Sequence, residues 1–244
     1  MLSNTDILQM MREGFLAIEP FEMEKPDERL TPAGFNFSFS KLIISKMNHE
    51  LVPLTVGKDS EVFFNLASGD MALALTNESI WVSRFLAGTF HSKVSYVSQG
   101  LGHISTTLDP GWKGQLLIAI NNPYSDDIKV VIGEKKDTGI KYSTFITLCL
   151  YKLDYPASDG SDNNDLRTDV LQKVIDDHDD KNSDGYKKAN GIINEIKGLL
   201  MCSNSPKAGD GFACISEQNR LLFKEQQKKI SDLIMNELPE TDKE

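Results

Sequence analysis

Asp109 is the side chain whose neighbours best suit it to chemistry. It lies in the stretch Gly88 to Asn122, GTFHSKVSYVSQGLGHISTTLDPGWKGQLLIAINN, just after the hydroxyl run Ser105, Thr106 and Thr107. Asp109-Pro110-Gly111 supplies a turn start, a fixed φ and a position without a Cβ penalty. Trp112 and Gly114 then lead into an alternating run, with Leu116, Ile118 and Ile120 on one side and Leu117 and Ala119 on the other, the period of a strand. A carboxylate and three hydroxyls are thus held at a strand-to-strand corner. Such loops, fixed by a rigid scaffold, are where ligands are handled. The same residues also make an ordinary β-sandwich corner, and spacing alone leaves both readings open.

Other candidates are weaker. His103 precedes the hydroxyl loop and could touch a ligand, but a lone histidine is more often structural. His91 and His103 form no metal spacing with any cysteine. The His-x-Glu and Pro-Cys-x-x-Cys elements of zinc deaminases are missing, and so is a Walker-type phosphate loop. Asp180-x-Asn182-x-Asp184-Gly185 has the oxygen spacing and glycine of half a calcium loop. The twelfth position is Gly191 rather than a carboxylate, which favours an acidic turn between helices. No protein-held metal site is expected.

The elements that must position these groups divide the chain in two. Ser3 with Asp6 has the form of a capping box, so a short helix is expected over 3–13, ended by Gly14. A strand Phe15 to Ile18 follows, and residues 22–30 read as a charged loop with a solvated face. From Pro32 the chain turns to short β runs. Phe35, Phe37 and Phe39 alternate with Asn36, Ser38 and Ser40, and Leu42 to Ser45 continue them. Glu61 to Leu66, Met71 to Leu75, a run beginning at Ile80, Ile128 to Ile132 and Phe145 to Leu153 complete the set. Gly133 to Gly139 reads as a charged hairpin tip. Turn signals about every ten residues are the habit of a sandwich or barrel.

Residues 154–165 read as a linker. Beyond it the period is helical. Leu166, Val170, Leu171, Val174 and Ile175 form one apolar stripe and Ile192, Ile193, Ile196, Leu199 and Leu200 another. Residues 203–214 read as a loop, and Leu221, Leu222, Ile230, Leu233, Ile234 and Leu238 mark a last helix. Such helices must bury their stripes on each other, on the β part or on a partner chain. The division is therefore 1–153 as a β domain, 154–165 as linker and 166–244 as helical tail.

The 244 residues are 40% hydrophobic and 25% charged, ordinary for a folded protein. The net charge of −10 repels phosphate backbone, so nucleic-acid binding is not expected. From Asp154 onward there are 19 acidic and 12 basic residues, so most of the excess sits in the tail. Cys149, Cys202 and Cys214 are an odd count without metal spacing and read as reduced thiols. No signal peptide and no membrane span is read, and the cytoplasm is the expected compartment.

Several segments in order carry a family likeness. These are MLSNTDI at the start, TPAGFNFSFS, ASGDMALALTNESIWV, GTFHSKVSY and, nearest in pattern, STTLDPGWKGQL. Together they make the first 153 residues resemble the dCTP deaminase and dUTPase superfamily, and its deaminase branch most closely. The resemblance implies a mainly β fold, a distorted β-barrel or jelly roll, here with a C-terminal α-helical appendage. It also implies a homotrimer with sites at subunit boundaries that bind a pyrimidine deoxynucleoside triphosphate with Mg²⁺. Nucleotide contacts would fall on Ser92, Lys93, Tyr96, Ser105, Thr107, Asp109 and Trp112.

The reactive positions depart from the family pattern. The motif arginine is His91, the second serine is Lys93, and the arginine that polarises water in deaminases is Tyr96. Thr147 stands where a C-terminal glutamine is expected. The general-base glutamate, ten residues after the retained Asp109, is Ala119. Alanine has no proton to exchange, and losing a general base forfeits a factor of about 10²–10⁴ in rate. A deaminase-like protein without deaminase activity is expected, acting as a nucleotide binder or as a regulatory scaffold presenting its tail to a protein partner. Two alternatives stand beside it: a triphosphate hydrolase or deaminase using Asp109 as its catalytic residue with Mg²⁺, and a purely structural trimer.

Overall fold

The structure is a computed structural model, and it describes residues 1–24, 26–103, 106–137, 139–158, 167–200, 215–237 and 241–242. Ser105, Leu166, Leu238, Cys202, Cys214, residues 159–165 and the 203–214 segment lie outside the described residues.

The chain opens with α1 (Asn4–Arg12), and the capping box is formed as its sequence requires. Asp6 N donates to Ser3 Oγ at 3.2 Å and Ser3 N donates to Asp6 Oδ2 at 2.8 Å. Gly14, at φ 78°, ends it. In order there follow β1 (Leu16–Glu19), β2 (Leu30–Thr31), β3 (Gly34–Ser45), β4 (Thr55–Val56), β5 (Glu61–Leu66), β6 (Met71–Val82) and β7 (Leu86–Ser92). A single turn, α2 (Val94–Val97), precedes β8 (Gly102–His103), β9 (Thr107–Leu108), β10 (Lys113–Asn121), β11 (Ile128–Lys136), β12 (Gly139–Tyr142) and β13 (Thr144–Lys152). The tail holds α3 (Thr168–Asp176), α4 (Asp184–Leu200), α5 (Glu217–Glu237) and the short β14 (Thr241–Asp242).

The fold is mainly β. A strongly curled nine-stranded sheet runs β8-β10-β6-β3-β13-β7-β9, with β1 added on β6 and β2 on β3. A second sheet runs β12-β11-β5-β4-β14. The curl has a visible cause. β3 pairs with β13 through Phe35–Ser38, shifts register between Phe39 and Ile43, and pairs with β6 through its second half. β6 in turn carries β3 on its first half and β1 on its second. Irregularities of this kind bend strands and let a sheet close on itself. Between the two sheets lies the main apolar core, including Phe35, Phe37, Phe39, Phe64, Phe90 and Phe145.

A second apolar cluster forms on the outer face. Leu42 and Ile44 of β3 with Leu73 and Leu75 of β6 meet Leu171, Val174 and Ile175 of α3, Ile192, Ile193 and Ile196 of α4, and Ile230 and Ile234 of α5. The stripe residues in this cluster are therefore buried on the chain's own sheet and on one another, while Leu221 of α5 is exposed. Polar contacts fix the seam. His49 Nδ1 donates to Val174 O at 2.9 Å, Lys46 pairs with Asp177 at 3.2 Å, and Lys41 Nζ donates to Met235 O at 3.3 Å. An ammonium such as Lys41 is the favoured sign at a carbonyl in the last turn of a helix.

Three local expectations differ from the structure. The run beginning at Ile80 is not a separate strand but the end of β6, which continues to Val82 as one run of 12 residues. The tip between β11 and β12 is shorter than 133–139, because cross-strand pairs extend to Lys136↔Gly139. The 22–30 segment is not wholly a solvated face. Arg29 turns inward over the rings of Phe21 and Phe35 and reaches buried Glu78 at 3.1 Å. No described helix is long and apolar enough to cross a membrane.

Candidate functional site

The Asp-Pro-Gly corner forms the turn its residues dictate. Trp112 N donates to Asp109 O at 3.2 Å, and Gly111 takes φ 81°, as position i+2 of a type II turn requires. β9 leads into it, held on β7 by the pairs Gly88↔Leu108 and Thr89↔Thr107. β10 leads out of it, along β6 with Leu117 opposite Leu75 and Ala119 opposite Leu73. Two ladders thus fix where the Asp109 carboxylate stands. It is exposed, and its Oδ1 accepts a long hydrogen bond from Thr107 Oγ1 at 3.4 Å. Trp112 is half-buried, with Nε1 donating to Gly114 O at 3.3 Å.

A cavity of about 370 Å³ opens beside this corner, within the range of small-ligand sites. Thr106, Thr107, Asp109, Trp112 and Ala119 line it, with apolar side chains from β7, β6 and β10. The tail contributes Arg167 and Val170. That contribution was not legible in the sequence. The only local hint is a cation directly before a helix, where the macrodipole favours an anion.

The other expected contacts lie elsewhere on the chain. Ser92 ends β7 opposite Ile146. Counting back four residues along β7 to Gly88, the partner of Leu108, gives a separation of about 13 Å. Lys93 Nζ donates to Thr144 Oγ1 at 2.7 Å and lines a different groove with Tyr96, Gln99 and Glu134. Tyr96 is buried, its hydroxyl donating to Val131 O at 2.8 Å and its ring edge-on to Phe39 at 5.7 Å. Burial pushes its phenol up to about 12, against a hydrogen bond from Ser143 that lowers it. His91 is exposed beside Thr89 Oγ1 at 3.1 Å. Within one chain, Asp109, Thr107 and Trp112 are gathered, while Ser92, Lys93 and Tyr96 are not among them.

Ala119 packs with Leu117 against the cluster that the sheet shares with α3, α4 and α5. Asp109 is the one carboxylate among the described residues lining the cavity. Among the described lining residues the tail contributes the Arg167 guanidinium and no acid.

A buried carboxylate that the sequence did not flag stands on β6. Glu78 is almost fully buried, accepting from Ser38 N at 2.7 Å, Ser38 Oγ at 2.5 Å and Arg29 Nη1 at 3.1 Å. Arg29 is itself held by Asp27, whose carboxyl it keeps below the usual range. With its oxygens satisfied, Glu78 reads as structural.

Among the described residues no three or more His, Cys, Asp or Glu side chains gather as a metal cage. In the Asp180 turn, Asp180 Oδ1 instead accepts from Asn182 N at 2.9 Å.

No protein-family model matches the chain. Among curated proteins, the dUMP-forming dCTP deaminase of Corynebacterium glutamicum is 34% identical over 132 residues, which cover 50% of this chain and 69% of that enzyme. This chain belongs to the dCTP deaminase/dUTPase superfamily. The dUMP-forming dCTP deaminase of Methanopyrus kandleri is 27% identical over 137 residues, 50% of this chain and 70% of that enzyme. The 2'-deoxycytidine 5'-triphosphate deaminase structure from Agrobacterium tumefaciens aligns at 12% identity, covering 61% of this chain and 46% of that one, with a TM-score of 0.43. The corner itself is Asp109-Pro110-Gly111-Trp112, and Ala119 follows it on β10.

Proposed function

We propose that this superfamily member binds a pyrimidine deoxynucleotide beside Asp109 and does not deaminate it. The observation that carries the reading is Ala119, packed toward an apolar cluster where a proton carrier would have to stand. Attack of water at C4 of cytosine needs a group that takes a proton from water and delivers it to the base. The cavity offers Asp109 as its one described carboxylate, and a ring-sized apolar wall with two threonine hydroxyls suits binding. The names of the curated relatives supply the ligand class.

A homotrimer completes the reading. One chain keeps Ser92 and Lys93 well apart from Asp109, so a neighbouring copy would be needed to bring both sets to one phosphorylated ligand. Mg²⁺ would be held chiefly by the ligand's phosphates, since Asp109 alone is no cage. The β part, 1–153, would bind and the helical tail, 166–244, would cover and regulate, in a cytoplasmic setting. Docking of a protein on the tail would have to use its outer face, where Leu221 is exposed, because most of the described stripe residues are buried in the cluster with the sheet.

A thermal-shift panel with dCTP, dUTP, dCMP and dUMP tests the binding. Ligand at a hundred times its Kd adds about 2.7 kcal/mol to the native state, roughly 5–10 °C for a chain of this size. No shift with any nucleotide would leave only a structural role. Parallel assays of dCTP and dUTP for uracil product and pyrophosphate are expected to show no turnover. The exposed Asp109 keeps a hydrolase as the second reading, and metal-dependent turnover abolished by Asp109→Asn would establish it in place of the first.

A further inference from the structure

The cavity beside Asp109 is walled on one side by the start of α3. Among its described lining residues Arg167 is the one cation and Asp109 the one anion, and the remainder are hydroxyl-bearing or apolar. Such a lining sorts a ligand by its parts. Apolar walls take a flat ring, a carboxylate accepts from a hydroxyl, and a guanidinium takes an oxyanion through its planar fork.

The Arg167 fork already holds an oxyanion. Nε and Nη2 donate to the two Oδ atoms of Asp169, each at 2.7 Å. The pair stands in water, with 43% of the Arg167 side chain and 62% of the Asp169 side chain accessible. Exposed pairs of this kind contribute little net energy. A phosphate carries more charge and a third oxygen, and can take the fork from the carboxylate at small cost. Arg167 occupies the N-cap without a side-chain capping bond, so the dipole of the nine-residue α3 adds positive potential at the same end. In a tail with 19 acidic and 12 basic residues, this is a local reversal of sign facing the cavity.

We infer that Arg167 binds the phosphate of the nucleotide held beside Asp109, with Asp169 as the resident carboxylate that the phosphate displaces. The tail is then part of the binding site and discriminates nucleotide from nucleoside. The inference rests on the nucleotide reading above.

Calorimetric titration of the full chain with dUMP and dCMP, against deoxyuridine and deoxycytidine, tests it. Arg167→Ala is expected to weaken nucleotide binding about tenfold or more, the loss of a charge-assisted bidentate contact, and to leave nucleoside binding unchanged. Asp169→Asn is expected to tighten nucleotide binding severalfold, a gain that damaged folding cannot produce. Wild-type nucleotide affinity retained in Arg167→Ala, or unimproved in Asp169→Asn, overturns this inference and leaves the nucleotide reading standing. A wild-type chain that binds neither nucleotides nor nucleosides overturns both.

Discussion

Ala119 and Tyr96 are each set by what packs around them, in different parts of the β domain. The residue at position 119 stands opposite Leu73, packs on the apolar cluster shared with the tail and borders the cavity that Arg167 also lines. Alanine there suits the docked tail. Tyr96 has its hydroxyl committed to Val131 O, inside the core. Its pKa is raised from 10.0 to about 12 by burial, so the native state holds its proton more tightly than the unfolded chain. The stabilisation is complete below pH 10 and is lost as pH rises toward 12, amounting to roughly 2 to 3 kcal/mol. Urea unfolding of the wild type against Tyr96→Phe, followed from neutral into alkaline pH, should show the wild type alone carrying this loss. Parallel curves would mean the phenol is accessible in the native state.

At the scale of elements, polar anchors decide how the long strands lie. Glu78 on β6 receives Ser38 from β3 and Arg29 from the segment before β2, joining three pieces of chain in one buried network. Arg29→Ala would strand a carboxylate that is almost fully buried, at a cost of about 3–5 kcal/mol. Chemical denaturation checks this, and adding Glu78→Gln should recover part of the loss by removing the charge. A cost below about 1 kcal/mol would mean water reaches Glu78 once Arg29 is gone. The helices obey the same logic with apolar contacts. α3, α4 and α5 have stripes too short-lived alone to hold helix, and all three find the outer face of β3 and β6.

At the scale of the molecule, two apolar layers share one sheet. Its inner face packs on the second sheet, and its outer face packs on the tail. The residues that the superfamily likeness points to are divided between the Asp109 cavity and the groove holding Lys93 and Tyr96. A trimer would reunite them, so sedimentation equilibrium should give three times the chain mass. A monomer at micromolar concentration and above would end the composite-site reading, though not the role of Arg167.

Much of this was legible in the chain itself. The Ser3–Asp6 box, the Asp109-Pro110-Gly111 turn, the alternation of Phe35, Phe37 and Phe39 and the helical stripes each follow from interactions within a few residues, and local sterics and periodicity encode those. The ordered segments up to STTLDPGWKGQL pointed to the superfamily for the same reason. Partnership across the fold was not legible. Whether the stripes met the sheet or another chain, whether Arg29 faced water or Glu78, and whether Arg167 came to line the cavity beside Asp109 depended on burial and approach between distant segments. Apolar burial has no direction along the sequence, so only the closed tertiary structure could choose among the surfaces it had to offer.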